Sequence, residues 1–416
     1  MGMNIALLSS EYPPETNWGG MATYSYTMAH GLVNAGHRVW VICRSSSVEE
    51  CVLDDEGVTV CRVQARPLRA PIVGRIACRY FPGAVDIIRY SARVAEAVAD
   101  IHARSGLDLV ESREWRAESV YVKKRTRLPV AVRLAYPQFM ERRLYGGRWS
   151  FNCWMIERLE RSTIMRADAL FSPSAAMARI AEREYGLPDS SIRVVPHPAD
   201  ARTFAPVQTT AEQYGVLYAG RLEPKKGVET LVRAIPIILE AHPSALFTLV
   251  GADTNRAVGG RSTKAYLQEV LAEQDVPVDR VCFIPSVSRD ELSRYYNGAQ
   301  VVVVPSWFEA FGFVALEAMA CSRPVVAADV GGLAETVEHG FSGYLFPARD
   351  HQALAGYVSK LLGCEELREQ MGANGYALTR TRNSIEVILE RNMRLFGGVV
   401  EQFRSTEGKS VKGQRR

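Results

Sequence analysis

Val301-Val302-Val303-Val304 leads through Pro305-Ser306-Trp307-Phe308 into Glu309-Ala310-Phe311-Gly312-Phe313-Val314-Ala315-Leu316-Glu317. An unbroken β-branched run reads as a strand buried on both faces, the kind found in parallel sheets. The order strand, loop, carboxylate, glycine, helix sets Glu309 ahead of a helix N-terminus and Glu317 on its second turn. A helix rises about 1.5 Å per residue, so Glu317 lies roughly 7 Å along the axis from the start near Gly312. Backbone N–H groups of a first helical turn, at the positive end of the dipole, favour an anion there. Taken alone, acids at a helix start serve equally well to offset the macrodipole.

A second element supports a site. Val216 to Ala219 reads as a strand, followed by Gly220-Arg221-Leu222-Glu223-Pro224-Lys225-Lys226-Gly227 and an apolar-periodic helix from Thr230. Arg221 and Lys226 sit five residues apart in a loop with glycine at both ends. A planar guanidinium fork and a point-charge ammonium suit the clamping of a diphosphate.

The pair G-R-L-x-x-x-K-G and E-x7-E, in this order, resembles the retaining nucleotide-sugar glycosyltransferases that include sucrose-phosphate synthases and bacterial mannosyltransferases, the family 4 (group 1) type. Gly19-Gly20, Ser306 to Gly312, Ala328-Asp329-Val330-Gly331-Gly332-Leu333-Ala334-Glu335 and Gly343-Tyr344-Leu345 extend the similarity over roughly residues 3 to 390. The resemblance implies an α/β chain of GT-B fold, two Rossmann-like domains facing each other across a cleft. It also implies a hexose-like sugar passing from a nucleoside diphosphate to a hydroxyl acceptor by front-face substitution, with the leaving phosphate taking the acceptor's proton.

The same resemblance assigns the site. Arg221 and Lys226 hold the diphosphate from one side and Gly19 and Gly20 from the other. Glu309, with the backbone of Phe311, Gly312 and Phe313, holds the sugar, and Glu317 takes the ribose hydroxyls. Glu309, Arg221 and Lys226 are thus the expected catalytic residues. Acceptor contacts are expected in the first domain, from Glu15, Trp18, Glu114, Trp115, Tyr136 and Gln138. No metal and no cofactor are implied, since no Asp-x-Asp follows a strand and Asp54-Asp55-Glu56 reads as a hydrophilic turn.

One departure stands out. Many relatives carry a histidine where this chain has Ala135, and there its side chain meets the sugar's 6-hydroxyl. Three readings stay open: a donor without need of that contact, replacement by Tyr136 or Arg133, or a catalytically degenerate chain acting as a nucleotide-sugar-binding or scaffold subunit. Retention of Arg221, Lys226, Glu309 and Glu317 argues against the last. A Rossmann dehydrogenase fails because no G-x-G-x-x-G follows either first strand, and an epimerase or phosphorylase lacks its acid/base set or cofactor lysine.

Length and composition agree. At 416 residues the chain exceeds one hydrophobic core, and 47% hydrophobic with 23% charged residues is ordinary for a globular protein. The expected division is 1–205, 206–384 with a linker at Pro206 to Gln213, a helix over 385–404 returning to the first domain, and a disordered tail at 405–416. No apolar run reaches about eighteen residues, and Met3 runs into a strand without a leader pattern. A cytoplasmic setting is expected. Eight scattered cysteines without C-x-x-C spacing read as reduced, mostly buried thiols. Residues 1–205 hold 27 Lys and Arg against 22 Asp and Glu, concentrated at Arg62 to Arg79 and Lys123 to Arg148. That excess reads either as a solvated face or as peripheral contact with a membrane or anionic acceptor. No nucleic-acid partner is expected, and the oligomeric state is open.

Overall fold

Runs of Val, Ile and Leu assemble into two separate sheets in the computed structural model, which describes residues 2–16, 18–47, 49–66, 78–146, 150–207 and 214–413. The backbone divides into two units, Met1–Pro198 with Ile385–Arg416, and Ala199–Ser384.

The first unit holds β1 (Asn4–Leu8), β2 (Arg38–Arg44), β3 (Cys51–Asp55), β4 (Val58–Val63), β5 (Leu109–Arg113), β6 (Val130–Arg133), β7 (Ala169–Ser172) and β8 (Arg193–Val194), in the order β3-β4-β2-β1-β5-β6-β7-β8. All neighbours are parallel except β3 and β4. That hairpin turns on Glu56-Gly57, with φ of 50° and 88°, the left-handed pair that matches strand twist in a two-residue loop. Asp54 and Asp55 therefore end a strand rather than form the turn. β3 escapes a reading by pattern because it is an exposed edge strand, Val52 being 69% exposed.

The second unit holds β9 (Gly215–Ala219), β10 (Phe247–Val250), β11 (Val281–Ile284), β12 (Ala299–Val304), β13 (Val325–Ala328) and β14 (Gly343–Phe346). All are parallel, in the order β11-β10-β9-β12-β13-β14. Numbered within the unit this is 3-2-1-4-5-6, the doubly wound order whose ligand crevice opens at the carboxyl ends of the two strands where the winding reverses. Those strands are β9 and β12. The loops 220–227 and 305–312 leave their carboxyl ends side by side.

Apolar faces of Val228–Ala241, His351–Leu362 and Thr263–Glu273 cover one side of this sheet, with Leu231, Ile235, Leu354 and Val358 at 0% exposure. Phe313–Ala320 and Arg289–Gly298 pack into a second cluster with Leu217, Val302 and Ala327. Helix Glu365–Arg382 has no clear apolar stripe in sequence; its buried face is Met371, Gly372, Gly375, Leu378 and Thr379, two of them glycines.

Several boundaries differ from those expected. Residues 199–205 belong to the second unit, where Ala199 N donates to Asn383 O (2.7 Å) and the Phe204 ring stands edge-on to Tyr296 at 5.6 Å. Ile385–Gly413 is one helix of the first unit. Ile388 and Phe396 are fully buried, and Gly31 lies so close that a Cβ would meet Ile385 Cδ1 at 2.8 Å. The stretch 405–413, expected as tail, continues the helix; it has no proline, and adding a residue to an existing helix is far easier than nucleating one.

The basic segments are largely paired. Arg62 is 1% exposed, donating to the Tyr12 and Pro13 carbonyls and ion-paired with the Glu15 carboxylate. Arg66 and Arg125 share Glu96, Lys123 meets Asp168, and Arg142 and Arg143 meet Glu157 and Glu184. Burial and internal pairing thus account for much of the charge assigned to a basic face; 67–77 and 147–149 lie outside the described residues. Only Cys43, Cys61 and Cys321 are buried, whereas Cys51 and Cys282 are exposed on the edge strands β3 and β11. Among the described residues no helix is long and apolar enough to cross a membrane.

Candidate active site

In the second unit, Gly227 fixes how the two crevice loops meet. Its φ is +66°, and a Cβ there would stand 1.7 Å from the Pro305 carbonyl oxygen, so only glycine lets the loops touch. Trp307 N donates to Lys225 O (2.8 Å) beside this contact. The result brings Lys226 Nζ to 2.6 Å from Glu309 Oε1, with Ser306 Oγ donating to the same oxygen at 2.9 Å. Both side chains keep access to solvent, 26% for Lys226 and 17% for Glu309. Gly332 N holds the Glu309 carbonyl at 2.7 Å.

Gly312, at φ +105°, starts the Phe313–Ala320 helix with no side-chain cap, and a Cβ there would strike Leu333 Cδ2 at 2.5 Å. The rings of Phe311 and Phe313 meet edge-on at 5.5 Å. On the second turn, Glu317 is 11% exposed; Tyr296 OH donates to it at 3.0 Å, and Arg289 stands 3.7 Å away while also bonding Asp200 at 2.8 Å. Burial pushes the Glu317 carboxyl up to about 7, against the lowering influence of Arg289 and the tyrosine hydroxyl.

Arg221 does not lean on Glu309. Its guanidinium lies 3.0 Å from Glu223, which is fully buried, and is itself 58% exposed.

The first unit has its own reversal point between β1 and β5. Gly19 is the extended N-cap of helix Gly20–Asn34, and both glycines are exposed. Beside them Arg113 donates to Ser9 Oγ (2.6 Å), Met21 O (2.9 Å) and Ser25 Oγ. Beneath lies a buried network: Tyr24 OH and Arg133 Nε both donate to Glu111 Oε1 at 2.7 Å, and Arg133 also bonds Val195 O and Asn392. Arg133 is 1% exposed. It is committed to this network and does not stand in for the histidine that relatives carry at Ala135.

Of the acceptor candidates, Trp18 is 41% exposed and edge-on to Tyr26 at 5.0 Å. Trp115 and Tyr136 are half-buried, the former under the Arg116 guanidinium at 5.4 Å. Glu15 is tied to Arg62 and Ser46. Glu114, expected as an acceptor contact, is fully buried instead: both its oxygens receive the Ala135 N–H at 2.8 and 2.7 Å, and burial pushes its carboxyl up to about 7. Gln138 N donates to the buried Glu160 at 2.8 Å. Two buried carboxyls thus grip the turn 135–138. Among the described residues no group of three or more His, Cys, Asp or Glu is placed to hold a metal ion.

The family described as Glycosyl transferases group 1 matches residues 201–378, and the Glycosyl transferase 4-like domain matches 19–198. A D-inositol 3-phosphate glycosyltransferase of Xylanimonas cellulosilytica is 30% identical over 412 residues, covering 91% of this chain and 93% of that protein. The chain belongs to the group 1 glycosyltransferases. Two GT-B structures share the fold of this glycosyltransferase. Sucrose-phosphate synthase from Thermosynechococcus elongatus has a TM-score of 0.77 at 24% identity, over 96% of this chain and 100% of that one. Anabaena HepE, solved in complex with UDP and glucose, has a TM-score of 0.71 at 19% identity, over 95% and 99%.

Sequence reading of this glycosyltransferase missed Ser306, Glu223, Asp200 and Arg289 as partners of the expected site residues. Glu223 and Ser306 stand inside the quoted motifs and were open to notice. Asp200 and Arg289 are far apart in sequence, and only the fold brings them to Glu317.

Proposed function

We propose that this group 1 glycosyltransferase moves a hexose-like sugar from a nucleoside diphosphate to a hydroxyl acceptor with retention of anomeric configuration. The observation that carries the reading is the Lys226–Glu309 contact at the reversal point of the second sheet. A cation for the leaving diphosphate and a carboxylate for sugar hydroxyls are held within one hydrogen bond of each other. As the bond from the sugar's anomeric carbon to the phosphate oxygen breaks, Arg221 and Lys226 stabilise the growing phosphate charge. The acceptor oxygen bonds to the same face of that carbon, and its proton passes to the departing phosphate oxygen. Glu309 orients the sugar, and Glu317, when ionised, accepts from the ribose hydroxyls. Gly19 and Gly20 supply backbone donors to the diphosphate, while Trp18, Trp115, Tyr136 and Gln138 are the acceptor-side candidates. Neither metal nor cofactor is needed for this step.

Thermal shift and slow hydrolysis with UDP-, GDP-, ADP- and TDP-sugars, without added metal, test the reading. Selective stabilisation with sugar release, and an anomer-retaining product, is the expected result. Binding without release would move the reading to a nucleotide-sugar-binding subunit, and no response to any donor would overturn both.

A further inference from the structure

Glu223 is fully buried, and neither of its carboxylate oxygens has a hydrogen-bond partner. Three cations surround it from two loops: Arg221 at 3.0 Å, Lys225 at 3.8 Å and Arg256 at 3.9 Å. Attraction at these distances without aligned hydrogen bonds gathers the cations and leaves the Glu223 oxygens a poor match for them. An incoming anion with well-placed oxygens competes effectively for such groups.

Arg256 belongs to the loop 251–262, which follows β10. β10 pairs with β9, Val250 opposite Ala219, so this loop lies next to the Arg221 loop. The two are laced together: Leu222 N donates to Ala252 O (2.8 Å), and Thr254 Oγ1 donates to Leu222 O (2.6 Å). Asp253 ties the rest of the loop down through Ser262 Oγ (2.6 Å) and Lys264 N (2.8 Å). Arg256 is thus presented from a fixed backbone with its side chain 46% exposed. Across loops 220–227, 251–262 and 305–312, Arg221, Lys225, Lys226, Arg256 and Arg261 stand against Glu223, Asp253 and Glu309, an excess of two positive charges.

We infer that Arg256 is a third cation for the diphosphate of the donor, gathered toward Arg221 by the buried carboxylate of Glu223. The inference rests on the transferase reading above and adds a contact from outside both motifs. A guanidinium brings planar, bidentate donors to phosphate oxygens, and a charge-assisted contact of this type changes affinity by about ten-fold or more.

The test is calorimetric titration of wild type and Arg256→Gln with three probes: inorganic pyrophosphate, the nucleoside diphosphate of whichever donor the panel selects, and its bare nucleoside. Expected is about ten-fold weaker binding of pyrophosphate and of the nucleoside diphosphate, unchanged binding of the nucleoside, and partial recovery in Arg256→Lys. Pyrophosphate and nucleoside diphosphate affinities within two-fold of wild type would overturn the inference, as would equal weakening for all three probes. If the wild type itself binds none of them, the transferase reading falls as well, so the two failures are distinguishable. Arg256 is half-exposed, and an unchanged melting temperature in the variant checks that the loop is intact.

Discussion

Glu309→Gln is expected to move nucleotide binding and catalysis in opposite directions. Glu309 engages Lys226 at 2.6 Å, and a diphosphate that recruits Lys226 must first weaken that contact. The groups are 26% and 17% exposed, between a surface pair worth about 0.2–1 kcal/mol and a buried pair whose disruption costs about 3–5 kcal/mol. Solvent access argues for the lower end, about 1 kcal/mol, or roughly five-fold in affinity. Gln keeps the acceptor for Ser306 but not the charge, so the nucleoside diphosphate should bind Glu309→Gln about five-fold more tightly. Transfer should fall, because a carboxylate bonded to sugar hydroxyls contributes about 1.5–3 kcal/mol per contact, roughly ten- to 150-fold in rate if realised in the transition state. Calorimetry gives the first quantity and steady-state transfer the second. Nucleoside diphosphate binding weakened by more than about three-fold, or kcat/KM kept within three-fold of wild type, would refute the reasoning.

Gly227→Ala should lower the melting temperature by several degrees, since its Cβ would stand 1.7 Å from Pro305 O at a φ of +66° and backbone must shift to admit it; an unchanged melting curve would mean the loops are not in this contact. Glu114 has its folded-state pKa raised to about 7 by burial, so the stability it contributes is full below the ordinary carboxylate range and is lost as pH rises through about 7. Thermal stability should therefore decline between pH 5 and 8, by on the order of 2–3 kcal/mol from this group, and Glu114→Gln should flatten the decline; an equally steep profile in the variant would count against it. Glu317 is also raised to about 7 by burial; in the proposed function it accepts from the ribose hydroxyls when ionised, so donor affinity should increase from pH 6 to 8 in wild type but not in Glu317→Gln, as read by titration at each pH.

The second unit was the more legible half because its strands are short apolar runs between motif loops, and a fully buried parallel strand declares itself by composition. Val301 to Val304 and Gly343 to Phe346 needed no alternation to be read. β3 was missed for the opposite reason, an exposed edge strand having no apolar signature, and Glu365–Arg382 because glycines supply part of its buried face. Charge was the hardest to read. A sequence shows an arginine but not whether it is buried, and Arg62 and Arg133, counted toward a basic face, are among the largest fully buried side chains. Glu114 misled in the same way: a carboxylate at the end of β5 suggested an acceptor contact, and the fold turned it inward onto the Ala135 N–H.

Helix Ile385–Gly413 gives the first unit a late-arriving part. Residues 1–198 leave the ribosome first, yet the Asn392 amide that meets Arg133, the Phe396 ring beside Phe171 at 6.1 Å and the Ile388 side chain are made only after all of Ala199–Ser384. The first sheet therefore waits, with Arg133 short of a partner and an apolar face uncovered, while the second unit is synthesised. Chains interrupted at about residue 385 would carry all of the second unit joined to an unfinished first one.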